Sequence, residues 1–288
     1  MAATRGLAYF PAMATAAGSD LPPHAPLGAQ LREWRRRRHQ SQLALALQAG
    51  VSQRHLSFVE SGRAQPSRDM VLHLAEQLDV PLRERNRMLV AAGFAPVYPE
   101  RPLDDPALGP ARRAVERVLE AHEPYPALAI DRHWTLVAAN RSLGPLLAGV
   151  ALMLLEPPVN VLRLSLHPDG LAPRIANLAQ WRTYLLQRLQ RECDITGDAT
   201  MGALLAELND YRIPTDRRRS PPPVTHADSR VFVPLHLETD AGVLSFIGTT
   251  TVFGTPVDVT VAELALECFF PADAATADYL QGRQRPTG

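Results

Sequence analysis

Four side chains with chemistry to offer stand close together: Ser52, Gln53, Arg54 and Ser57. Their hydroxyl, amide and guanidinium groups are short or forked hydrogen-bonding devices, suited to flat donor and acceptor edges such as those of base pairs in a major groove. No rival chemistry is spelled out elsewhere. The chain has no G-x-S-x-G elbow, no phosphate-binding or dinucleotide glycine loop and no metal-ligand spacing. Cys193 and Cys268 are far apart and form no redox or ligand pair, so buried free thiols are expected. The expectation is a protein without catalytic residues, cofactor or structural metal.

To work together, the four polar residues need a helix presented by a second helix. Residues 42–48, QLALALQ, are strong helix formers. Gly50 supplies the backbone that ends such a helix, and Ala49, Gly50 and Val51 form the turn. Ser52 is placed to cap a second helix, which Gly62 stops. Leu56 and Val59 share one face and meet Val51 and the small Ala46 at a seam, so the polar set projects from the other side. Such a pair serves either DNA or a partner protein, and the polar face favours DNA.

The pattern Gln42, Ala46, Gly50, Val51, Leu56 and Val59 resembles the helix-turn-helix of the lambda-repressor-like (XRE) regulators. Helical segments at 27–38, 67–78 and 82–92 would complete an all-α five-helix head spanning residues 27–95. The resemblance implies a phosphate contact from Gln42 and similar contacts from Arg63 and Gln65. The expected DNA-binding set is Gln42, Ser52, Gln53, Arg54, Ser57 and Arg63, on double-stranded operator DNA.

Charge agrees with that partner. The formal net charge is zero, yet residues 27–95 hold 11 Arg against 6 acidic residues, +5, leaving −5 elsewhere. The run Arg35, Arg36, Arg37 and Arg38 suits phosphate neutralisation, and equally suits the C-terminal dipole of its own helix. No apolar run approaches the roughly 18 residues of a membrane span. A cytoplasmic location is expected, with residues 1–26 and 278–288 as flexible tails.

Five prolines between 96 and 110 mark a linker that would let the head and the remainder move as separate bodies. Beyond it, a helix at 111–122, strands at 127–131 and 134–139, helices at 140–147, 172–191 and 199–208, and strands around 231–237, 243–253 and 264–270 are expected. Residues 212–228 are expected as a loop. Two strands, inserted helices and three more strands are the layout of an α+β PAS-like domain with a five-stranded antiparallel sheet. The stretches HWTLVAANRSL, VNVLRLSLHPDGLAPRIANLAQWR, LSFIGTTTVFGTPVDVT and AELALECFFPAD resemble the ligand-binding domain of MmyB-like transcription regulators, over residues 111–277. That likeness implies a small hydrophobic ligand such as a fatty acid, with Asn140, Arg163, His167 and Trp181 as candidates to orient it. Together the resemblances imply a one-component regulator, expected to act as a homodimer, whose ligand alters head orientation or dimer geometry. The alternative is a ligand-binding protein whose helical head contacts another protein.

Overall fold

The computed structural model describes residues 8–9, 25–212 and 232–282. Five helices form the head: α1 (Leu27–Arg37), α2 (Gln42–Gln48), α3 (Gln53–Glu60), α4 (Arg68–Gln77) and α5 (Leu82–Ala91). Ser41, Ser52 and Ser67 cap α2, α3 and α4, each hydroxyl accepting from the backbone N–H three residues on. A cap of this kind is worth about 1 kcal/mol. Gly50 and Gly62 take φ of +63° and +73°, so the turn and the stop fall where left-handed backbone is needed. Leu31, Leu45, Leu56, Leu78, Met88 and Leu89 have no exposed surface and form the head's core with Trp34, Ala46 and Val59.

At Gly28, helix α1 lies directly on the end of α3, where a Cβ would collide with the carbonyl oxygen of Glu60. Gly28→Ala should therefore push the two helices apart and destabilise the head by about 1–3 kcal/mol, measurable by urea denaturation. An unchanged midpoint would contradict the close approach.

The second domain is built on one antiparallel sheet. Helix α6 (Gly109–Ala121) precedes β2 (Ala127–Ile130) and β3 (Leu136–Ala139). Then come α7 (Val161–Leu166), α8 (Leu178–Thr196) and α9 (Ala199–Asp210). The chain returns through β4 (Leu235–Thr239), β5 (Gly242–Val252), α10 (Val259–Ala262), β6 (Ala265–Pro271) and α11 (Ala274–Gly282). Five strands run in the order β3-β2-β6-β5-β4, and the two-residue β1 (Ala8–Tyr9) adds a sixth at the β3 edge. Both faces are covered. Ala127, Ala129, Val137, Leu266 and Cys268 pack towards Val115 and Leu119 of α6, while Leu128, Ile130, Leu136 and Phe246 face α7, α8 and α9.

Several details differ from expectation. Residues 140–147 form a short 3-10 turn at Gly144–Leu147 rather than a longer helix. The long helix starts at Leu178, not at 172, because Asn177 is held across the domain: its amide donates to the Pro234 carbonyl and accepts from the His236 N–H. Ile175 accordingly stands in a bridge to Leu237 instead of on the helix. Residues 278–282, expected as tail, continue α11, whose Leu280 is buried. Val231 and nearly all of the expected loop at 212–228 lie outside the described residues.

The proline-rich connection is tied down at both ends. Asn86 of α5 accepts from the N–H groups of Val97 and Tyr98 and donates to the Tyr98 carbonyl. On the other side Arg101 pairs with Asp258 at 2.8 Å, and the Pro99 carbonyl accepts from Val259 N–H. Arg83 of α5 then reaches directly to Glu263, with N–O distances of 2.8 and 2.9 Å, and also pairs with Glu100. In this conformation the head is docked on the sheet domain rather than free of it.

Candidate functional site

The polar face of the head is built outward from a buried ion pair. Glu60, the last residue of α3, is 3% exposed. Its two carboxylate oxygens accept from Arg35 Nε and Nη2 at 2.7 and 2.9 Å, and one also accepts from Gln42 at 2.8 Å. Arg32 donates to the Glu60 carbonyl at 3.1 Å. Burial opposes ionisation of Glu60, but the Arg35 and Gln42 hydrogen bonds and the Arg35 and Arg32 charges outweigh it and hold the carboxyl below its ordinary value. Helices α1 and α2 thus clamp the end of α3 from two sides.

From that clamp α3 presents its other end to solvent. Ser52, Gln53 and Arg54 are exposed and Ser57 is half-buried. The guanidinium of Arg54 lies 5.3 Å from the centre of the Phe58 ring, and that of Arg63 lies 6.0 Å from the same ring. One aromatic therefore orients two exposed arginines through cation–π attraction. Gln42 uses its amide on Glu60, so one of its two N–H groups is committed to the protein. Gln65 is exposed, and its amide is 3.5 Å from the Ala92 carbonyl.

The arginine run divides its labour. Arg35 serves Glu60, Arg38 donates to the carbonyls of Leu78 and Asp79 beyond α4, and Arg37 pairs with Glu33 and lies against Gly197 of the second domain. Arg36 is the exposed one of the four, the others being half-buried.

The second domain holds a cavity of about 110 Å³, open on one side, between the sheet and the helical block. Its wall is mostly apolar and includes Leu128, Leu136, Leu162, Leu185, Phe246 and Phe269. Trp181 stands in that wall, donating its indole N–H to Ser165 Oγ at 3.0 Å. At one end Arg188 and Glu267 meet, with Nη2 of Arg188 2.7 Å from Oε1 of Glu267. The Arg188 guanidinium also covers the Trp134 ring at 4.4 Å.

These two sites occupy two recognisable regions. A family profile described as MmyB-like transcription regulator ligand binding domain matches residues 111–282, and a helix-turn-helix profile matches residues 26–88. The chain belongs to the MmyB-like transcription regulators. Among solved structures, the clp gene regulator ClgR from Corynebacterium glutamicum is 26% identical, with 36% of this chain and 98% of that chain covered and a TM-score of 0.21. No curated protein matches.

Three of the four residues expected to orient a ligand stand outside the cavity of this MmyB-like regulator. Asn140 is buried but spends its side chain on backbone, donating to the Leu119 and Tyr125 carbonyls and accepting from Ala127 N–H. Arg163 is exposed and braces α7 to α9 through two bonds to Glu207 of 2.8 and 2.7 Å. His167 accepts from Asp169 N–H and packs edge-on against Tyr211. Each is consumed by local folding.

The sequence held signals for the residues that were missed. Arg188 follows Trp181 by seven positions and Leu185 by three, which puts all three on one face of α8. Glu267 shares the strand face of Phe269, opposite Leu266 and Cys268; the more apolar face of β6 packs on α6, not on the cavity. Cys193 and Cys268 are free, and burial raises both thiols, Cys193 to about 11, so neither is a ready nucleophile.

Proposed function

We propose that this regulator reads operator DNA with the N-terminal half of α3, as a cytoplasmic homodimer, and that a small hydrophobic molecule in the cavity of the second domain alters its DNA affinity. The observation that carries the reading is the outward row Ser52, Gln53 and Arg54 on a capped helix whose far end is locked by Glu60. In a major groove these groups would meet base edges, with Arg54 the natural bidentate partner of a guanine. Ser57 lies one turn on, while Gln42, Arg63 and the exposed Arg36 would neutralise phosphates. Two heads are needed because a single short helix contacts too few bases for useful specificity, and a dimer occupies two half-sites about one helical turn apart.

Ligand control is supported by a shared wall. Trp134 and Arg188 line the apolar cavity and also line a second cavity of about 300 Å³ between the domains, beside Pro81, Arg83 and Glu84 of the head and Arg132 and Glu263 of the sheet domain. An occupant that shifts the Trp134–Arg188 pair would disturb the surface on which α5 is docked. An acyl chain of the fatty-acid kind has the polarity of the cavity wall, although about 110 Å³ holds little more than a ring-sized group before the lining leucines repack.

Sequencing the duplexes that the full chain retains from a randomised pool tests the DNA reading. One enriched motif with two half-sites is expected, and unselective retention would favour a head that contacts protein instead.

A further inference from the structure

Arg83 stands in the first turn of α5, yet its side chain serves the other domain. Its guanidinium donates through Nε and Nη2 to the two carboxylate oxygens of Glu263, at 2.8 and 2.9 Å, and it also pairs with Glu100 of the proline-rich connection. The carboxylate of Glu263 in turn lies 3.7 Å from Arg132, just past β2. One guanidinium thus ties the head, the connection and the sheet domain together.

Apolar packing does not fix the angle between the two domains. Among the described residues, the apolar core of the head includes no residue of the sheet domain, and the two apolar cores of the sheet domain include none of the head. Two clefts of about 300 Å³ each run along the contact, and Arg83 and Glu263 line both. Domains joined without a large apolar interface are expected to move against each other unless directional bonds hold them. A bidentate guanidinium–carboxylate pair is such a bond, because its planar fork sets orientation as well as distance.

Docking leaves the reading face open. Ser52, Gln53 and Arg54 stay exposed while α5 is held against the sheet domain, so the contact aims α3 and does not cover it. In a dimer the aim of each head decides which half-site spacing both can reach. Each added base pair carries a half-site about 3.4 Å along the axis and about 35° around it. Heads fixed in angle cannot follow; heads hinged on the connection can.

We propose that Arg83 is a positioning residue for DNA reading: its pairing with Glu263 holds each head at one angle to the sheet domain, and so restricts the dimer to one half-site spacing. This rests on the reading of the chain as a dimeric operator-binding regulator, and it assigns the choice of spacing to a residue that touches no base.

Fluorescence anisotropy tests the assignment with the full chain and the duplex it enriches from a randomised pool, the half-sites being kept and the spacer lengthened by two base pairs. Lengthening should weaken binding of the unaltered chain at least about tenfold, and Arg83→Ala should reduce that penalty to about threefold or less, while a duplex with one half-site binds both proteins alike. Glu263→Gln, in the other domain, should act in the same direction. An unchanged penalty in the folded Arg83→Ala protein would overturn the proposal. So would an equal loss on every duplex, which is what a merely weakened head would give, and so would indifference of the unaltered chain to spacing. Enrichment of no motif by the unaltered chain would instead remove the DNA reading beneath it, and the proposal with it.

Discussion

Replacing Arg35 with methionine will destabilise the head by about 3 kcal/mol, the lower end of the usual cost of breaking a buried ion pair, because Arg32 remains 3.6 Å from the Glu60 carboxylate. The Glu60 side chain has no exposed surface and Arg35 is 12% exposed, so solvent cannot replace the lost bonds. Hydrogen exchange on the full chain locates the effect: amides of α1, α2 and α3 should lose protection while those of the sheet domain keep theirs. Protection of α3 equal to the unaltered protein would show that the clamp contributes nothing. The loss should also depend on pH with a definite sign. The carboxyl of Glu60 is held below its ordinary value, so its stabilisation is complete above the unfolded pKa of about 4.3 and fades as pH falls through the lower folded value. The difference between variant and unaltered protein should therefore be largest at neutral pH and shrink as pH falls into the acid range, the more so because burial without Arg35 raises the Glu60 carboxyl of the variant.

Replacing Arg54 with alanine should cost about 1 to 3 kcal/mol at the preferred DNA site and relax the preference at one base position. Arg54 is exposed and lies against the face of Phe58, so the substitution removes an outward-facing group without opening the core. Arg63→Ala offers the contrast. A phosphate partner lost there should weaken binding to all sequences alike and reduce the salt slope by about one. Fluorescence anisotropy with preferred and scrambled duplexes at several salt concentrations separates the two. Equal losses on both duplexes for Arg54→Ala would return that residue to a phosphate role.

The head was legible because its punctuation is local. The serine cap at 52 and the glycines at 50 and 62 act through backbone within three residues of themselves, so their neighbours in sequence suffice to place them; Ser41 and Ser67 cap α2 and α4 in the same way. The arginine run was harder, because its work is tertiary: Arg35 reaches 25 residues to Glu60 and Arg38 reaches 40 to Leu78. A basic run promises an electrostatic footprint, yet three of its four members are spent on the protein's own acids and carbonyls or packed against the second domain. In that domain the helix pattern extended too early for a similar reason. Ile175 keeps the period of Leu178, Trp181 and Leu185, but the Asn177 bonds to β4 and its approach hold residue 175 in extended backbone. The ligand candidates failed where polar residues near apolar segments were expected to face the cavity. Asn140 and Arg163 are satisfied by carbonyls and by Glu207, whereas Arg188 was hidden in a charged-looking stretch of α8 despite its helical register with Trp181.

The most direct test of the account is a paired selection: duplexes retained from one randomised pool by the unaltered chain and by a variant carrying Ser52→Ala, Gln53→Ala and Arg54→Ala. A single motif of two half-sites is expected for the first and its disappearance for the second, with the variant still folded. The same motif enriched by both proteins would show that these residues do not read DNA, and the role assigned to α3 would have to be abandoned.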